Sequence, residues 1–208
     1  MFTDRFARKD LARFRKRGLD PLERRMVASV EPGGLADARV LEIGGGIGRL
    51  QVELLEAGAA TGEVVELVGA YEPYAEALAH ERGLEERSSF VVADVLERPE
   101  AVAPGDVVVL NRVVCCSSEG VELTAAAARL TRGTLVLSYP RNVMWIRLGV
   151  RAINLLQRLR GRSFRVFVHS PSALREAAQA EGLARALTER GSLWEFTTLR
   201  RGAGAGAL

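Results

Sequence analysis

The sequence predicts an α/β fold: a doubly wound, mostly parallel, seven-stranded sheet with helices on both faces. Three observations carry the prediction. Short apolar runs alternate with amphipathic segments along the 208 residues, the order that builds parallel sheets from strand–helix–strand units. One junction, Arg39-Val-Leu-Glu-Ile-Gly-Gly-Gly-Ile-Gly-Arg-Leu50, passes from an apolar strand through glycines into a helical pattern, which brings bare backbone N–H groups to a helix N-terminus. Glu42, Glu72, Asp94 and Asn111 fall at expected strand ends, where open α/β sheets bind ligands.

Taken in order, residues 3–17 set Phe6, Leu11 and Phe14 among basic residues, a basic and partly amphipathic helix stopped by Gly18. Asp20-Pro21 reads as an N-cap and first turn, opening a second helix through about Val30 with Leu22, Met26 and Val30 on one face. Residues 31–34 link to the first strand, so 1–34 form an N-terminal helical cover. It is expected to pack on the sheet edge with its charges solvated; the other reading places it over a pocket. The main domain is 35–201. Val40 to Ile43 is the first strand, followed by a helix to Glu56 that ends at Gly58. Glu63 to Tyr71 is the second strand, Pro73 to about Arg82 a helix ended by Gly83, and Ser89 to Ala93 the third strand. Pro99 to Pro104 is a loop. Val107 to Leu110, a β-branched run, is a strand buried on both faces. Glu119 to Leu130 is an alanine-rich helix ended by Gly133, and Thr134 to Ser138 is the fifth strand.

Residues 141–165 carry seven arginines and no acid. Arg147, Arg151, Asn154 and Arg158 share one helical face by their spacing, and Met144, Trp145, Leu148, Ile153, Leu155, Leu156 and Leu159 fill a broad apolar remainder. This helical insertion, at about 141–163, is read three ways: a packed helix with solvated arginines, a substrate lid, or a helix in peripheral contact with a membrane through 143–160. Phe164 to His169 alternates like a strand, Ser170-Pro171 opens a helix ended by Gly182, Leu193 to Leu199 is a last strand, and 202–208 is a Gly/Ala tail expected to be disordered.

The glycine spacing is Glu42-x-Gly44-x-Gly46-x-Gly48, with Gly45 between. A dinucleotide fingerprint would put its third glycine at position 49, which is Arg49. The loop instead resembles motif I of the class I S-adenosylmethionine (SAM)-dependent methyltransferases. Three further landmarks extend the resemblance over roughly residues 36–140: Glu72-Pro73 after the second strand, Asp94-Val95 after the third, and Asn111-Arg112 closing a fourth strand that starts at Asp106. The resemblance implies a Rossmann-like methyltransferase fold, SAM as cofactor and S-adenosylhomocysteine (SAH) as product. It implies that the glycines hold the methionine portion, Glu72 the ribose hydroxyls and Asp94 the adenine amine. Glu42 could instead only order the loop, and Asn111 and Arg112 could serve cofactor, substrate or the strand end. The layout after the fifth strand is similar to that of magnesium-protoporphyrin O-methyltransferase-like enzymes, implying a lipophilic or carboxylated small-molecule acceptor.

For catalysis, His169 at an expected strand end is the candidate base, being able to exchange a proton near neutral pH. Tyr139 and Arg141, just past the fifth strand, are candidate substrate contacts, Arg141 for an anion. His80 reads as a surface residue. Cys115 and Cys116 are expected to be buried, inert thiols, and no metal-ligand spacing is found. The Asn/Asp-Pro-Pro-aromatic motif of DNA amino-methyltransferases is absent at Asn111-Arg-Val-Val, so DNA is not the expected partner. Net charge is only +3, from 29 basic and 26 acidic residues, and demands no nucleic acid. The charged N-terminus, two cysteines and the lack of a long apolar run point to the cytoplasm. O-methylation of a small molecule is the preferred activity. A non-catalytic SAM-binding partner subunit, an RNA methyltransferase and an NAD-type oxidoreductase are the alternatives, and the oligomeric state is not set by the sequence.

Overall fold

The computed structural model describes residues 3–30 and 34–202; the 31–33 stretch of the expected linker and the 203–208 stretch of the expected tail lie outside the described residues. The elements are α1 (Asp4–Arg17), α2 (Pro21–Val30), β1 (Arg39–Ile43), α3 (Arg49–Glu56), β2 (Thr61–Glu66), α4 (Glu72–Glu81), β3 (Ser88–Val92), β4 (Gly105–Asn111), α5 (Gly120–Arg129), β5 (Thr131–Pro140), α6 (Met144–Leu159), α7 (Pro171–Ala180), β6 (Leu183–Arg190) and β7 (Trp194–Arg201). The seven strands form one sheet in the order β3-β2-β1-β4-β5-β7-β6. β1 to β5 run parallel, and β7 is antiparallel to both β5 and β6. The order reverses between β1 and β4, the switch point where such sheets bind ligands.

Strand alternation sorts the core into two layers. Val40, Val107, Val109, Val136 and Phe196 meet α1 to α4 through Leu11, Met26, Leu50 and Leu78. Leu41, Ile43, Val108, Leu110, Leu135 and Leu137 meet α5 and α7 through Leu123, Ala127 and Leu174. The leading helices are part of the first layer. α2 also reaches across to the late strand β7, where Ser29 Oγ lies 2.8 Å from Thr198 Oγ1 in a buried contact.

Four elements depart from the expected layout, each for a local reason. β2 ends at Glu66, not Tyr71, because the Glu66 carboxylate accepts the Leu67 and Val68 N–H groups (2.9 and 3.2 Å) and turns the chain into a short 3₁₀ turn, Gly69–Tyr71. Gly133 does not end α5. It lies inside β5, where a Cβ would stand 2.8 Å from the Asp106 carbonyl oxygen; the helix ends instead where Thr131 Oγ1 donates to the Ala127 carbonyl (2.7 Å). Residues 164–169 join no ladder: the Val166 N–H and carbonyl are both bonded to the Asn154 side chain (2.9 and 2.7 Å), and the Phe167 N–H makes one bond to the Cys115 carbonyl (2.8 Å). The seventh strand is β6, an edge strand with only Leu183 fully buried.

α6 also departs from the expected packing. Of its 16 residues only Ile146 and Gln157 are buried, while Met144, Trp145, Leu148, Ile153, Leu155, Leu156 and Leu159 are 46 to 76 % exposed. No described helix is long and apolar enough to cross a membrane.

Candidate functional site

The site begins at the β1–α3 loop. Gly44 holds φ 65°, and a Cβ there would come 2.7 Å from a Val113 methyl, so only glycine lets the loop pass close to the β4–α5 connection. Its N–H donates to the Val65 carbonyl, 2.6 Å away, locking the loop to β2. Gly46 and Gly48 also have positive φ, 59° and 72°, and Gly48 is the residue from which α3 starts. Glu42 is fully buried under this loop. Its Oε2 accepts the Gln51 N–H of α3 (2.9 Å), and a side chain at Gly45 would collide with it. Burial pushes the Glu42 carboxyl up to about 8, opposed by the Gln51 hydrogen bond and the Arg49 charge.

Two carboxylates follow at neighbouring strand ends. Glu66, at the end of β2, accepts the Gly46 N–H at 3.1 Å as well as those of Leu67 and Val68; desolvation raises its pKa against these three bonds. Asp94, just after β3, spends Oδ1 on the Leu96 N–H (2.8 Å), which fixes its turn. Both line one cavity of about 440 Å³ together with Glu42, Gly44, Gly45, Gly46, Val95, Asn111 and Arg112.

The first helix forms part of this cavity's wall, and the second braces it. Phe6, Asp10 and Arg13 of α1 line it. Asp10 pairs with Arg49 (3.2 Å), and Arg49 pairs with Glu23 of α2 (3.0 Å), which is 2 % exposed. Asp20 caps α2 by accepting the Leu22 and Glu23 N–H groups, and Glu23 returns a bond to the Asp20 N–H, a reciprocal capping box. Asn111 Nδ2 donates to Glu23 (2.9 Å) and Asn111 Oδ1 accepts from Ser138 (2.8 Å). Arg112 holds φ 60°, unusual for a residue with a side chain. Its N–H is held by Ser138 (2.9 Å), and its guanidinium donates to Asp20 and lies over the Trp194 ring at 5.1 Å. Most charges of α1 are exposed, as expected, but Asp10, Asp20 and Glu23 are not solvated bystanders: they are tied to Arg49 of α3 and to Asn111 and Arg112 at the end of β4.

Several expected site residues lie elsewhere. Glu72 and Pro73 open α4 and do not line the cavity, because β2 has already ended at Glu66. Gly48 shapes the loop but is not in the wall. The His169 Nε2 sits 2.9 Å from both the Val114 and Ser117 carbonyls, over Gly120, where a Cβ would strike it at 2.4 Å; it pins the β4–α5 loop and does not line this cavity. Tyr139 is buried, its hydroxyl donating to Glu195 (3.1 Å) and bonded to Thr197 (2.7 Å). Arg141 donates to the Gly191 and Ser192 carbonyls. Neither residue lines the cavity. Cys115 is buried, and the contact with the Cys116 sulfur, together with burial, pushes its thiol up, but Cys116 is exposed and lies on the cavity wall, contrary to expectation. The residues the sequence reading missed are Glu66, Phe6, Asp10, Arg13, Arg49, Tyr71 and Phe164. A signal for Glu66 was available in its position six residues before Glu72, at the end of the β-branched run Val64-Val65.

No protein-family model and no curated protein matches the sequence. Solved structures match in shape. A magnesium protoporphyrin IX methyltransferase from Synechocystis PCC 6803, described with bound SAH, superposes with a TM-score of 0.70 at 19 % identity, over 87 % of this chain and 82 % of that one. This chain has the class I methyltransferase fold. An O-methyltransferase family 2 protein from Planctomyces limnophilus, described in complex with apigenin, gives the methyltransferase fold again with a TM-score of 0.72 at 17 % identity, over 97 % of this chain and 62 % of that one. A putative methyltransferase described in complex with the Haloferax volcanii Trm112 methyltransferase activator gives 0.71 at 14 % identity, over 98 % and 97 %.

Proposed function

We propose that this chain is a SAM-dependent methyltransferase that O-methylates a small, lipophilic acceptor bearing a carboxylate or hydroxyl. The observation that carries the reading is the convergence of the glycine loop, Glu66 and Asp94 on one cavity at the switch point of the sheet. These residues fit the cofactor by their chemistry. The loop offers backbone where side chains cannot stand. Glu66 is a desolvated carboxylate suited to the two ribose hydroxyls, taking the role expected of Glu72. Asp94 has a second carboxylate oxygen to accept the adenine amine. When bound, SAM supplies a methyl group on a sulfonium, already electrophilic enough that catalysis is mainly a matter of placing the acceptor in line.

The chain's own residues then position and exclude water. Asn111 is committed on both ends of its amide and holds Glu23 and Ser138 in place rather than reaching a ligand. Arg13, Arg49 and Arg112 bring three cations to the wall, held there by Asp10, Glu23 and Asp20, and Phe6, Leu123 and Phe164 give it apolar surface, a combination suited to a greasy acid. A carboxylate acceptor is already a nucleophile, so transfer to it needs no base from His169. The described neighbour complex with an activator favours one second reading, a subunit that turns over only with a partner.

The test is a thermal melt with SAM, SAH and NAD, followed by turnover with carboxylated lipophilic acceptors and with RNA. Mass action predicts about 2.7 kcal/mol of stabilisation at one hundred times the dissociation constant. Stabilisation by NAD but not by SAH overturns the cofactor; SAH binding with no turnover on any acceptor moves the reading to the partner-dependent subunit.

A further inference from the structure

Several surface arginines pair with acids, Arg15 with Glu81, Arg82 with Glu56, Arg129 with Glu181 and Arg190 with Glu195, while others stand singly on otherwise polar surface. On α6, Arg147, Arg151 and Arg158 have no side-chain hydrogen bond or ion pair among the described residues, and residues 141–165 contain no acid that could supply one. By helical spacing these three lie in one row along one border of an outward apolar arc. That arc is made by Met144, Leu148, Leu155 and Leu159, with Trp145 and Leu156 beyond them, at 46 to 76 % exposure. The opposite face is the one the protein covers, through Ile146 and Gln157.

From this we infer that α6 is a membrane-surface helix, docking the enzyme on a bilayer rich in anionic lipid. The wide aliphatic arc calls for an apolar medium, and the unpaired arginine border calls for negative charge beside it; an anionic bilayer supplies both at one depth. A nucleic acid would satisfy the arginines and leave the leucines in water. A second copy of the helix would cover the leucines and bring the same arginines together with no acid in either segment to pair them. At 16 residues the helix lies along the surface and does not cross it.

The placement serves the site. α6 leaves from the end of β5, on the ligand side of the sheet, and its Asn154 clamps Val166 two residues after Phe164, which forms part of the cavity wall. Docking would thus set the cavity beside the lipid phase in which a lipophilic acceptor concentrates. The surface stands independently of the cofactor reading, because lipid binding is measured without SAM.

The experiment is flotation of the full chain with vesicles of phosphatidylcholine alone and of phosphatidylcholine mixed with phosphatidylglycerol, at low and high salt. Wild type floats with the phosphatidylglycerol vesicles at low salt and falls off as salt screens the arginines. Leu148→Glu with Leu155→Glu abolishes flotation on either vesicle. Arg151→Gln with Arg158→Gln weakens it roughly twenty- to thirtyfold, about fivefold for each charge removed. Both pairs are exposed, so circular dichroism and melting curves stay those of wild type. The inference is overturned if wild type floats with neither vesicle. It is overturned equally if the leucine variant floats as well as wild type, or if light scattering shows a dimer that the leucine variant abolishes while no vesicle is bound.

Discussion

Replacing Glu66 by alanine, with Glu72→Ala beside it, separates two assignments of the same role. In the folded chain the Glu66 carboxylate receives three backbone N–H groups, from Gly46, Leu67 and Val68. Hydrogen bonds to a charged group contribute about 1.5–3 kcal/mol each. If the ribose diol adds two, Glu66→Ala removes roughly 3–6 kcal/mol from SAH binding, a loss of roughly a hundredfold to ten-thousandfold in affinity. The apo protein is destabilised as well, by roughly 2–6 kcal/mol, because the half-buried N–H groups of Gly46 and Val68 lose their acceptor while that of the exposed Leu67 turns to water. Glu72 sits in the first turn of α4, where its charge contributes about 0.3–1 kcal/mol to helix stability, and its replacement leaves SAH binding unchanged. Isothermal titration with SAH reads the affinities, and ligand-free melts read the loop. The reasoning fails if Glu66→Ala binds SAH within about threefold of wild type, or if Glu72→Ala is the weaker binder.

Three more predictions follow from the same geometry. The folded pKa of Glu42, about 8, lies above its ordinary 4.5, so the folded state holds an extra proton between those values and stability falls as pH rises from about 4.5 through about 8; Glu42→Gln keeps the Gln51 bond and flattens that slope, seen as melting temperatures that converge at low pH and favour the variant at high pH. Arg49→Met strands the buried Glu23 carboxylate and costs roughly 3–5 kcal/mol in urea denaturation, most of it recovered when Glu23→Gln is added. His169→Ala frees two carbonyls of the β4–α5 loop and lowers stability by about 1–3 kcal/mol; the pH profile of turnover keeps its shape, and a lost limb near the histidine range with unchanged stability would restore the base.

Much of this was readable in the chain because it is local. Gly18 and Gly182 stop their helices in the backbone conformation that favours glycine, φ 62° and 85°. β1 and β4 announce themselves as apolar runs, and the glycine loop between β1 and α3 carries its own geometry. What misled was locality of another kind. Leu67, Val68 and Ala70 prolong the apolar run of β2 past its true end, since the turn is made by a hydrogen-bonding carboxylate and not by a proline or glycine. The alternation of Phe164 to His169 imitates a strand, but its backbone is held by the Asn154 side chain and by one Phe167 N–H to Cys115 carbonyl bond. β6 is an exposed edge strand and shows no buried period. The cover over the cavity was least legible, because Asp10–Arg49 and Asn111–Glu23 join residues 39 and 88 positions apart, a distance at which sequence spacing carries no signal.

The antiparallel strand β7 has a consequence for how the chain comes to be folded. β5 is bordered on one side by β4 and on the other by β7, whose residues are synthesised about sixty positions later, and α2, made well before both, finds its buried partner Thr198 there as well. A nascent chain that has emerged only as far as α6 therefore holds β5 with an open apolar edge and α2 without its buried partner on β7. Pairings this distant in sequence close late and slowly, and an open strand edge invites neighbouring chains. The sheet is complete only once residues 194–201 have left the ribosome, so the interval before their release is the one in which the edge of β5 is open to wrong partners.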